Sequence, residues 1–108
     1  MIEKTELTYW ARIYSSGSIE IAKQVVRREC QFKGLCVTIE PTTFIYTGGE
    51  EAGFVVGLIN YPKFPATDDA IFERAVELAK IILEATYQDS TLIMSPYKTL
   101  WITKERQQ

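Results

Sequence analysis

The chain has 108 residues and no histidine, and that absence decides much of what chemistry it can perform. A Ser-His-Asp triad needs imidazole to take the hydroxyl proton, and a Cys-His pair needs it to hold a thiolate. Both are excluded. So are the paired-histidine ligand sets of phosphoesterases. No GxxxxGK run followed by Ser or Thr is present, and no GxGxxG follows the first strand, so no phosphate-binding loop is expected. Two acid pairs remain, Glu50-Glu51 and Asp68-Asp69. Neighbouring side chains of an extended segment point apart, which makes adjacent carboxylates poor acid–base partners. Asp68-Asp69 also has a structural task at a helix start, where the dipole favours negative charge. Cys30 and Cys36 lie six apart, match no zinc spacing, and are expected as buried free thiols. On these grounds no enzyme is expected, and neither a cofactor nor a metal.

Binding has better candidates. In Thr47-Gly48-Gly49-Glu50-Glu51 two glycines would let a backbone approach a ligand closely or form an anion nest, although the acids beside them repel phosphate. The run Tyr61-Pro62-Lys63-Phe64-Pro65 is a stiffened aromatic loop. Tyr61, Lys63 and Phe64 would lose little entropy on meeting a partner, or else Tyr61 and Phe64 close over the core. Tyr97 and Trp101 are further aromatic anchors. An RNA-recognition reading needs aromatics on strands one and three, which Tyr9 or Trp10 and Phe54 would supply. Strand three lacks the basic, glycine-rich signature of those modules, so nucleic acid is not expected.

These residues must be positioned by local elements. Leu7, Tyr9, Ala11 and Ile13 alternate with polar or outward residues, predicting a strand over Leu7–Tyr14. Ser15-Ser16-Gly17-Ser18 breaks it, and Ser18 reads as an N-cap. Ile19, Ala22, Val26 and Cys30 keep helical spacing to Lys33, with Gly34 just beyond as the C-terminal stop. Leu35–Ile39 reads as strand two. Pro41 marks an edge, a bulge or a bend, because it donates nothing to a ladder. Strand resumes over Phe44–Thr47, turns at Gly48–Glu51, and continues over Phe54–Asn60. Thr67 caps a helix running to about Tyr87, with Ile71, Phe72, Ala75, Val76, Leu78, Ala79, Ile82 and Leu83 on its apolar face. Thr91–Met94 is strand four. Ser95-Pro96-Tyr97-Lys98 is a turn, and Thr99–Thr103 is a fifth short strand or a bent continuation. The order β-α-β-β-α-β predicts an α+β, ferredoxin-like split β-α-β sandwich. Its sheet is antiparallel and both helices lie on one face. The other sheet face is then left open.

Composition agrees with one folded domain over 1–108, with fraying expected at 1–5 and 104–108. Hydrophobic residues make up 46% and charged residues 24%, enough for a core without staples. The formal charge of −2 is uneven. Basic and acidic residues number six and four in 1–39, two and seven in 40–77, and four and three in 78–108. An acidic middle suits a basic partner. No signal peptide and no span of ~20 apolar residues is seen, so a cytoplasmic protein without membrane contact is expected.

The stretch Ile21-Ala22-Lys23 with Glu29-Cys30-Gln31-Phe32-Lys33-Gly34, leading into Ile39-Glu40, resembles small phage and prophage proteins. A subtype I-F anti-CRISPR family is among them. Pro41-Thr42-Thr43, Tyr46-Thr47-Gly48-Gly49-Glu50-Glu51 and Val56–Pro62 also resemble uncharacterised phage proteins. The resemblance implies a phage-encoded, non-enzymatic interaction protein that acts by binding a host protein complex, and it assigns no site residues. Two other expectations stand beside it: a small-ligand module for a nucleotide or metabolite at the Gly48-Gly49 turn, and a structural phage protein. An open sheet face would also admit a homodimer.

Overall fold

The computed structural model describes residues 1–104. Of the tail expected to fray, 105–108 lie outside the described residues. The elements are β1 (Trp10–Ser16), α1 (Ile19–Lys33), β2 (Val37–Tyr46), β3 (Gly49–Ile59), α2 (Asp68–Ala85), β4 (Ser90–Met94) and β5 (Thr99–Thr103). The five strands form one antiparallel sheet in the order β2-β3-β1-β4-β5. The first four strands keep the split β-α-β order, and β5 adds an edge beside β4. The ferredoxin-like expectation is met.

Helix α1 spans the residues its periodicity predicts. The Ser18 hydroxyl accepts from the Ile21 amide at 3.3 Å, and Gly34 holds the left-handed cap with φ 64°. Helix α2 starts at the expected cap, where Thr67 accepts from the Ala70 amide at 3.1 Å. It ends at Ala85 rather than near Tyr87.

Strand bounds differ more. β1 begins at Trp10 rather than Leu7 and runs through Ser15 and Ser16. Sheet pairing with β3 overrides the turn preference of the two serines: Ser15 pairs with Phe54 and Ser16 with Gly53. β2 is one unbroken strand through Pro41. It is the sheet's outer strand, so a missing donor at Pro41 leaves no neighbour unsatisfied. The hairpin turn is Thr47-Gly48 alone, since Tyr46 already pairs with Gly49. Gly48 carries φ 94°, which a side chain would resist. Glu50 and Glu51 are therefore strand residues and face opposite ways.

One face of the sheet is covered. Ala11, Ile13, Phe54, Val56 and Ile93 are 0% exposed and pack with Ala22, Val25 and Val26 of α1 and with Ile71, Ala75, Leu78 and Ile82 of α2. The opposite face carries Trp10, Arg12, Tyr14 and Ser16 of β1, opposite Ile59, Gly57, Val55 and Gly53 of β3. Beyond it, β4 and β5 present Leu92, Met94, Thr99 and Trp101. The β2–β3 hairpin outruns β1, whose last partner is Gly53. Its end, around Phe44, Tyr46 and Glu51, thus projects past the rest of the sheet. No described helix is long and apolar enough to cross a membrane.

Candidate functional site

A cleft of about 580 Å³ lies on the open sheet face, within the size range of small-molecule sites. Its floor is β1 and β4, carrying Tyr14, Ser16, Ser90, Leu92 and Met94; Phe44, Tyr46 and Glu51 wall one side and Trp101 the other. Across the floor, Tyr14 lies opposite Leu92, and Leu92 opposite Trp101. Two strand spacings therefore separate Tyr14 from Trp101, ~9.5 Å.

The walls depend on glycine. The Phe44 ring occupies the space above Gly53, so a Cβ added there would sit 2.5 Å from Phe44 Cε2. Tyr46 lies over Gly49 in the same way, 3.3 Å from an added Cβ. The Ser16 hydroxyl donates to Glu51 Oε1 at 2.7 Å. Beneath the floor, the Thr91 hydroxyl donates to the Tyr14 carbonyl at 3.2 Å. The Ser15 hydroxyl is then the donor in the buried 2.5 Å bond to Thr91 Oγ1. These bonds tie β1 to β4 where Tyr14 must be held.

Among the described residues, Glu51 is the one charged residue lining the cleft. The other lining groups are aromatic, aliphatic or hydroxylic. Such a surface can stack a planar heterocycle, donate to hydroxyls and attract a cation. No group of three or more potential metal ligands occurs among the described residues.

Of the residues singled out from sequence, Glu51 and Trp101 meet in this cleft. Thr47, Gly48 and Gly49 form the hairpin tip beside Tyr46, and Gly49 is engaged in strand pairing. Glu50 projects to the other face. Tyr61, Lys63 and Phe64 follow β3 at its opposite end, an extended length of roughly 33 Å away. There the rings of Tyr61 and Phe64 stack at 6.4 Å, and Lys63 Nζ lies 5.5 Å from the Phe64 centroid. The stiffness of that loop comes from Asn60 as much as from proline. Its amide donates to the Leu7 carbonyl at 2.8 Å and accepts from the Ala66 N–H at 2.9 Å. Tyr97 is exposed in the Ser95–Lys98 turn, which closes with a 2.9 Å bond from the Ser95 N–H to the Lys98 carbonyl.

Sequence reasoning missed Tyr14, Ser16, Phe44, Tyr46 and Leu92. The signal was available for β1: Trp10, Arg12, Tyr14 and Ser16 are the out-of-phase set to the core residues Ala11 and Ile13.

The thiols also differ from expectation. Cys36 is exposed and Cys30 only partly buried. Burial pushes the Cys30 thiol above its ordinary pKa, and Cys36 and Glu29 nearby add to this. That is the opposite of nucleophile activation.

No protein-family model and no curated protein sequence matches the chain. Solved structures do. A phage SAM lyase in its apo state aligns at TM-score 0.74 and 15% identity, covering 100% of this chain and 99% of that one. A phage SAM lyase in complex with S-methyl-5'-thioadenosine aligns at TM-score 0.78 and 14% identity, covering 100% and 98%. The periplasmic divalent cation tolerance protein CutA from Archaeoglobus fulgidus aligns at TM-score 0.50 and 20% identity, covering 94% and 88%. At these identities the likeness is one of fold. It overturns two expectations, that the chain is no enzyme and that it acts by occupying a host complex, because the fold it shares end to end is that of a lyase. Missing histidine excludes only reactions that need a proton relay. A bond whose leaving group departs as a neutral molecule needs none.

Proposed function

We propose that the open-face cleft binds SAM and cleaves it to S-methyl-5'-thioadenosine. The observation that carries this reading is the full-length likeness to a SAM lyase in complex with that thioadenosine. The cleft's chemistry supports it. Tyr14, Phe44, Tyr46 and Trp101 offer faces for adenine, Ser16 and Ser90 offer donors and acceptors for ribose, and Glu51 offers a counter-charge to a cation.

The reaction suits a site without histidine. When the bond between the sulfonium sulfur and the methionine γ-carbon breaks, the bonding pair stays on sulfur. The leaving group is then a neutral thioether that needs no proton. The γ-carbon is captured by the substrate's own carboxylate, so no water enters and no external base is required. What the protein supplies is a folded substrate conformation, and positioning of this kind contributes strongly to rate.

Titration of the ¹⁵N-labelled chain with S-methyl-5'-thioadenosine tests the location. Amide shifts are expected at Tyr14, Glu51, Gly53 and Trp101, and Trp101→Ala is expected to weaken binding by ten- to a hundredfold, about 1–3 kcal/mol for a stacked base. Shifts confined to 61–65, or none at millimolar ligand, would refute the assignment.

A further inference from the structure

We propose that the cleft selects its ligand by charge, preferring nucleosides with a cation next to the ribose over neutral or phosphorylated ones. Glu51 is the selecting group and Ser16 its positioning residue. This rests on the reading of the cleft as an adenosyl site.

Among the described residues, the cleft lining contains one carboxylate and no lysine or arginine. A phosphate chain would bring at least two negative charges against Glu51 with nothing to offset them. The closest basic residue along the β1 face is Arg12, two residues from Tyr14, and its guanidinium lies 4.6 Å from the Trp10 ring centroid. Glu40, on the same face opposite Val55, adds a second negative charge on that side. The aromatic walls favour a cation over an anion as well.

Glu51 is an exposed side chain on a projecting hairpin, so its carboxylate would be mobile if left alone. The 2.7 Å bond from Ser16 holds Oε1 and leaves Oε2 for a ligand. The two residues are held by their strands. Ser16 pairs with Gly53, and Glu51 lies two residues along β3 on the same face. The acidic character of 40–77, read from sequence as suiting a basic partner, acquires a small-molecule meaning here.

Calorimetry with three adenosine compounds separates the possibilities. Sinefungin carries an ammonium where SAM carries sulfonium and cannot be cleaved. S-adenosylhomocysteine is neutral at that position and otherwise alike. ATP carries phosphates. Sinefungin is expected to bind about tenfold more tightly than S-adenosylhomocysteine, near the low end of what a charge pair ~4 Å apart in wet surroundings yields. ATP is expected not to bind. Glu51→Gln is expected to bring the ratio of the two affinities close to one, and Ser16→Ala to give an intermediate ratio. If the tenfold ratio survives Glu51→Gln, or ATP binds as well as sinefungin, charge selection is overturned while the adenosyl site stands. If none of the three binds, the adenosyl reading falls with it.

Discussion

Alanine at position 53 is expected to collapse the cleft wall and to destabilise the protein by about 3 kcal/mol, the upper range for an overpacked interior site. Gly53 is buried where β3 leaves β1. A Cβ there would strike the Ser15 carbonyl oxygen and, at 2.5 Å, Phe44 Cε2. The phenyl ring can swing away, but the Ser15 carbonyl is main chain in a paired strand and cannot. Relief therefore requires β1 and β3 to part near Ser16, which also breaks the Ser16–Glu51 bond. Urea unfolding would report the loss of stability, and thioadenosine titration the loss of the site. Gly57→Ala is the control. Its Cβ would meet Thr38 Oγ1 at 2.6 Å, a side chain that can rotate, so a smaller effect is expected.

Phe54→Ala is expected to lower stability by roughly 3–5 kcal/mol, the range for a large aromatic removed from a core. Phe54 is 0% exposed and heads the largest fully buried side chains. It alternates with Gly53 and Val55 on β3, so its ring lies on the helix side while its neighbours serve the open face. A domain of this size is stable by only about 5–15 kcal/mol in total, so the variant should approach the edge of folding. A fall in the urea midpoint at unchanged slope is the expected signature. Ile45→Ala, at a side chain 80% exposed, should change stability by less than about 0.5 kcal/mol.

Local chemistry was legible where it acts locally. Ser18, Gly34 and Thr67 announced the helix ends because caps are satisfied within one turn. The β-α-β-β-α-β order was legible because hydrophobic period changes along the chain. Strand ends were harder. Ser15-Ser16 and Pro41 look like breaks, yet pairing with β3 carries β1 through the first and the edge position of β2 carries it through the second. The cleft was least legible. It joins the β2–β3 tip, the end of β1 and the β4–β5 pair, three segments brought together only by register. Glu51 and Trp101 were found from sequence, one as part of a turn and one as an anchor, without a reason to connect them. Tyr61, Lys63 and Phe64 stand out in the sequence for a stiffness that Asn60 imposes for structural reasons. The absence of histidine excludes proton-relay chemistry but not catalysis that needs no relay.

The central claim is that this cleft cleaves SAM, and product analysis tests it most directly. The purified chain would be incubated with SAM and the mixture resolved by chromatography against a protein-free control. Accumulation of S-methyl-5'-thioadenosine well above that control, proportional to protein and reduced at least tenfold in Trp101→Ala, is the expected result. SAM that disappears no faster than in the protein-free control would contradict the account.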